Sequence, residues 1–182
     1  MDRKRAEGVI FLCMALLMGT STLAGAQAAG TPEARLKALG IELPAAPKPV
    51  ANYVPAVRSG NLVFLAGQGP LVEGKPAMTG KVGGEVSEEA GYRAARMTIL
   101  NSLAALRAEI GSLDRVRRIV KLTAWVNSAP GFSRQPAVVN GASDLLVEIF
   151  GDAGRHARTA VAANELPFNI PVEIEMIVEV SP

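Results

Sequence analysis

The sequence predicts an α+β domain, a mixed β-sheet with two helices packed on one of its faces. Three observations lead there. Two segments carry apolar residues at helical spacing, Ile99, Leu103, Leu106 and Ile110 in one and Val138, Ala142, Leu145 and Ile149 in the other. Val172, Ile174, Met176, Val178 and Val180 alternate with Glu173, Glu175, Ile177 and Glu179, the two-residue period of a strand with one buried face. A chain of 182 residues can bury one ordinary core, which the helices and that strand face would share.

The first residues differ in kind from the rest. Asp2-Arg3-Lys4-Arg5 precedes an apolar stretch from Val9 to Met18, and small residues follow, with Ala24-Gly25-Ala26 fitting a signal-peptidase site. Residues 1–26 are therefore expected to be a cleaved secretory signal, making the protein secreted or periplasmic, with an uncleaved anchor or an unused upstream extension as the alternatives. The apolar stretch falls short of the roughly 20 residues that span a bilayer, so no stable membrane insertion is expected. Cys13 follows Phe11-Leu12, which lacks the small residue of a lipoprotein signal; cleavage would leave a mature chain with no cysteine.

Residues 27–50 read as an N-terminal extension and residues 51–182 as the domain proper. In the extension, Thr31-Pro32-Glu33 opens a short helical turn in which Leu36 and Leu39 share a face, and Gly40 ends it. The segment from Leu43 to Pro55 holds four prolines and is expected to be extended. Asn61 to Ala66 reads as a buried strand entering the glycine loop Gly67-Gln68-Gly69-Pro70, and residues 71–86 as a surface loop. Ser87 before Glu88-Glu89 starts the first long helix, which Gly111 closes. In the strand from Ile119 to Asn127, Val120, Leu122, Ala124 and Val126 are expected to form the apolar face. The second helix begins near Ser133 with Pro136 in its first turn, and Gly151 ends it. Strands from Ala157 to Ala163 and from Val172 to Val180 complete the chain. With both helices on one face, the other face is half-polar and calls for another subunit.

Composition excludes several chemistries. One histidine, His156, and one cysteine, Cys13, leave no His/Cys metal cluster and no disulfide within the chain. A formal charge of +2 and 4% aromatic residues argue against a nucleic-acid partner. Arg115, Arg117, Arg118 and Lys121 read as a solvated strand entrance, and Gly67-Gln68-Gly69 lacks the remainder of a nucleotide-binding loop. No serine or cysteine nucleophile is marked by context for His156, which reads as structural or exposed. Arg158 and Glu175 lie on apolar-rich strands, where a charge must meet solvent, an interface or a partner. Arg158 alternates with Ala160 and Ala162, so its planar fork would stand over a hollow suited to a carboxylate. An interfacial ion pair between Arg158 and one of the strand glutamates accounts for these residues equally well.

Ala51-Asn52-Tyr53-Val54-Pro55, Leu65-Ala66-Gly67-Gln68, Val139-Asn140-Gly141, His156-Ala157-Arg158-Thr159-Ala160-Val161, Leu166-Pro167 and Val172-Glu173-Ile174-Glu175 occur in the order seen in one family. On these stretches the chain resembles the reactive-intermediate deaminase (Rid or YjgF, RidA-type) family, in the branch labelled endoribonuclease or chorismate-mutase-like. The resemblance implies a chorismate-mutase-like fold and a homotrimer with ligand pockets between subunits. It implies hydrolytic deamination of small enamines and imines such as 2-aminoacrylate to 2-oxo acids and ammonia, with no cofactor on this protein. By that resemblance Arg158 binds the substrate carboxylate, Glu175 positions water, and Tyr53, Asn140 and Gly67 line the pocket. Ala160, where many members have cysteine, would contribute its backbone; Ala66 replaces a common serine. The alternative is a non-catalytic trimer that binds small carboxylates or a protein partner outside the cytoplasm, which the signal-like start suggests.

Overall fold

The computed structural model describes residues 30–46, 48 and 51–182; the signal-like start and Cys13 lie outside them. In chain order the elements are α1 (Pro32–Ala38), β1 (Ala56–Ser59), β2 (Leu62–Gln68), the short pair β3 (Leu71–Val72) and β4 (Lys75–Pro76), α2 (Glu88–Ile110), β5 (Val116–Asn127), α3 (Gln135–Phe150), β6 (Ala157–Ala163) and β7 (Val172–Val180). Five strands form one sheet in the order β1-β2-β7-β5-β6. β5 and β6 run parallel and the other pairs antiparallel, so the sheet is mixed, as the α+β reading requires.

β7 is central, and its sequence dictates the layering. Val172, Ile174, Met176, Val178 and Val180 are each at most 1% exposed, while the alternate residues are only half-buried on the other face. Full burial of one such side chain is worth about 1.5–3 kcal/mol, so a one-residue register slip would forfeit most of the core. α2 lies over β7, β2 and β1, and α3 over β5 and β6, both on the apolar side. The Ser87 hydroxyl accepts from the Ala90 N–H at the start of α2, and Gly111, at φ 84°, closes it. Ile99, Leu103, Leu106 and Ile110 of α2 and Val138, Ala142, Leu145 and Ile149 of α3 are buried in the shared core.

The helices pack closely because Gly141 of α3 faces the backbone of α2. A Cβ at that position would overlap the Tyr92 carbonyl oxygen. α1 docks on α3 and on the turn before β5: Leu36 is buried, Glu33 accepts from the Leu113 N–H, and Arg35 donates to the Ile149 carbonyl.

Four local expectations are corrected. Leu39 lies outside α1 and is exposed, because the helix stops one residue earlier and turns the chain away. β2 is buried on one face only, with Phe64 43% exposed on the open face. Residues 71–86 hold the β3–β4 pair and send Val82 and Val86 into the core, where Val82 bonds to the Asn127 carbonyl. In β5 a register shift between Ile119 and Lys121 turns Ile119 inward and leaves Val120 only half-buried.

The close approach at Gly141 sets a stability test. Gly141→Ala forces backbone to shift against backbone, and is expected to lower unfolding free energy by about 1–3 kcal/mol in urea titrations.

Candidate functional site

Strand parity decides where the chemistry-bearing side chains go. Arg158 is paired with Leu122, whose side chain is fully buried under the helices, so Arg158 leaves the sheet on the helix side. Glu175 is paired with Thr123 and leaves on the open side. β5 lies between the two strands, so their axes are about 10 Å apart. One subunit does not bring Arg158 and Glu175 together, and no ion pair between Arg158 and a strand glutamate forms within it.

On the helix side, β6 is an edge strand and α3 runs beside it. Arg158 Nη1 donates to Asn140 Oδ1 at 2.9 Å and to Ser143 Oγ at 3.0 Å. Both acceptors sit on α3 three residues apart, hence on one helix face. Ser143 Oγ also lies 3.1 Å from His156 Nε2, and His156 Nδ1 lies 2.7 Å from the Gly154 carbonyl. Burial holds the His156 pKa below the ordinary histidine value and the nearby Arg158 charge adds to that, against the opposing Gly154 bond. Ala160, next but one to Arg158, is half-buried and packs against the core. Arg158 itself is exposed, and among the described residues no carboxylate pairs with it.

On the open side, Glu173 and Glu175 project from β7 next to one another. Gly67, in the irregular stretch of β2 between Leu65 and Gln68, gives Glu173 its room: a Cβ there would overlap Glu173 Oε1. Burial, and secondarily the Glu175 charge, raise the Glu173 carboxyl above the ordinary carboxylate value. The glycine belongs to the strand rather than to a loop, and the turn after it is pinned by buried Asn101 of α2, whose amide donates to the Gly69 and Leu71 carbonyls. Tyr53 precedes β1 at the far edge of the sheet and is half-exposed. Val57, Phe64 and Ile177 make an apolar row across β1, β2 and β7 on this open face.

The six sequence-nominated residues thus fall into two groups: Asn140, Arg158 and Ala160 at the α3–β6 edge, and Gly67 and Glu175 on the open face with Tyr53 at its rim. Sequence reasoning missed Ser143, His156 as a partner in the first group, and Glu173 in the second. The available signals were spacing alone, three residues from Asn140 on a helix and two from Glu175 on a strand. No group of three or more metal-ligating side chains occurs among the described residues, and no helix among them is long and apolar enough to cross a membrane.

Residues 33–180 match the family model described as "YjgF/chorismate_mutase-like, putative endoribonuclease". The chain belongs to the YjgF family. It is 44% identical over 155 residues to Protein TCP17 of Trypanosoma cruzi, covering 85% of this chain and 97% of that protein. It is 32% identical over 139 residues to a 2-iminobutanoate/2-iminopropanoate deaminase of Dermatophagoides farinae, covering 76% and 93%. Among solved YjgF-type structures, one from Shewanella oneidensis titled a putative endoribonuclease superposes with a TM-score of 0.80 at 36% identity, covering 83% of this chain and all of that one. The family and fold expected from the motifs are therefore correct.

The raised Glu173 pKa carries a stability consequence. A carboxyl whose folded pKa exceeds its unfolded value contributes stability only while protonated in both states; that contribution is lost as pH rises through the folded value. Glu173→Gln is therefore expected to be more stable than the wild type at pH 7, with the gap closing in acid below the ordinary value of 4.5, as read by denaturant midpoints at both pH values.

Proposed function

We propose that the protein hydrolyses small enamines and imines of 2-amino acids to 2-oxo acids and ammonia, in a site completed between copies of the chain. The observation that carries this reading is an edge-strand arginine held by two neutral oxygens on one amino group. Its Nε and Nη2 edge makes no bond within the described residues. Such a fork binds a carboxylate through two parallel hydrogen bonds. The similarity to the mite iminobutanoate/iminopropanoate deaminase supports the same substrate class. A homotrimer suits the open sheet face, where an apolar row and two carboxylates face no other element of the subunit.

In this mechanism Arg158 takes the substrate carboxylate, with Asn140 and Ala160 beside it. Glu175 and Gly67 come from the open face of a second copy, with Tyr53 at its rim. Glu175 accepts a proton from water as the water adds to the carbon of the protonated imine, giving a neutral carbinolamine. Glu175 then returns that proton to the nitrogen, the C–N bond breaks, and the hydroxyl proton passes by way of Glu175 to the departing ammonia, leaving the 2-oxo acid and a regenerated carboxylate. Glu173, whose pKa burial raises above the ordinary carboxylate value, lies beside Glu175 on the same face. The imine carbon is already electrophilic, so placement and acid–base help suffice, the latter worth roughly 10²- to 10⁴-fold.

Imines generated in solution from alanine or 2-aminobutanoate by an amino-acid oxidase with dioxygen as oxidant, followed by 2-oxo acid and ammonia release, provide the test. Arg158→Ala is expected to abolish acceleration with the fold intact, and Glu175→Gln to lower kcat by roughly 10²-fold or more. Full activity in Arg158→Ala would refute the carboxylate anchor. Tight 2-oxobutanoate binding without any acceleration by the wild type would assign the same pocket to a carboxylate binder.

A further inference from the structure

We infer that Ser143 and His156 are positioning residues for Arg158, a hydrogen-bonded relay that sets which edge of the guanidinium meets the ligand. The inference rests on Arg158 being the carboxylate anchor. Its logic is donor and acceptor accounting. The Gly154 carbonyl can only accept, so His156 Nδ1 carries the proton that donates to it across 2.7 Å. In the neutral ring Nε2 is then an acceptor, and the Ser143 hydroxyl donates its one proton there across 3.1 Å. With that proton committed, Ser143 Oγ presents lone pairs to Arg158 Nη1 at 3.0 Å. Asn140 Oδ1 takes the other Nη1 proton at 2.9 Å.

Both protons of Nη1 are thereby used inside the subunit. What remains is the side edge, Nε and Nη2, whose two N–H bonds are parallel and match the two oxygens of one carboxylate. The relay selects side-on binding and holds the guanidinium still before the ligand arrives, which reduces the rotamer entropy lost on binding.

Protonation of His156 would undo this arrangement. Nε2 would become a donor, and two cations would then point at one hydroxyl. The groups around the ring disfavour its charged form: it is half-buried and Arg158 is the nearby cation. The acids of α3 are engaged elsewhere, Asp144 with Tyr92 and Glu148 with Arg96, and Asp152 of the preceding turn pairs with Arg155.

Calorimetric binding of 2-oxobutanoate, together with imine kinetics, tests the relay. Ser143→Ala and His156→Ala are expected to weaken binding roughly tenfold and to raise KM while kcat stays within about twofold, the pattern of lost uniform binding. His156→Gln, whose amide can accept from Ser143 and donate to Gly154, is expected to recover most of that loss. In the wild type KM should rise as pH falls through the His156 titration, and in His156→Gln it should not. Wild-type affinity in Ser143→Ala and His156→Ala, with binding abolished in Arg158→Ala, overturns the relay and leaves the anchor standing. Unaltered binding in Arg158→Ala overturns both. His156→Gln no better than His156→Ala shows a packing role and overturns the relay.

Discussion

The alternation along β7 is the constraint from which the rest follows. Five apolar residues face the helices, and their burial fixes the register of β2 and β5 on either side. Once that register is fixed, every other residue of the sheet is assigned a face. Glu173 and Glu175 must leave on the side away from the helices. Through the parallel pairing of β6 with β5, Arg158 must leave on the side of Leu122. Core packing, rather than any direct interaction between them, places Arg158 and the carboxylates on opposite faces.

That division explains two electrostatic features at once. Arg158 is satisfied by Asn140 and Ser143, neutral groups that fix its orientation and leave its charge uncompensated. Glu173 and Glu175 sit beside each other without a cation from their own subunit, and burial raises the pKa of the first. Charges of opposite sign on separate faces of the sheet meet only across a contact between two copies. The apolar row of Val57, Phe64 and Ile177 gives such a contact a dry component.

Most of the fold was legible because the strongest signals are periodic. α2 and α3 follow from the helical spacing of their core residues, and β6 and β7 begin and end where alternation predicts. The failures have local causes. An unbroken apolar run at 61–66 conceals that Phe64 faces outward, since the open face itself is partly apolar. The shift in β5 moves burial from Val120 to Ile119, and a bulge leaves no periodic trace before it occurs. Val82 and Val86 enter the core from a Gly-rich stretch whose ties to Asn127 are long-range. For the site, the family motifs supplied Arg158, Glu175, Asn140, Gly67, Tyr53 and Ala160, but Ser143 and Glu173 needed coordinates. No nucleophile adjoins His156 in sequence, and the hydroxyl that meets it comes from a helix thirteen residues earlier.

Complementation between inactive variants tests the divided site most directly. Arg158→Ala and Glu175→Gln subunits are mixed one to one, dissociated and reassembled, and assayed for imine hydrolysis. If each site draws its arginine from one copy and its glutamate from another, random assembly restores about a quarter of the wild-type rate, because that fraction of contacts joins two intact halves. Activity no higher than that of either variant alone would contradict a site shared between copies.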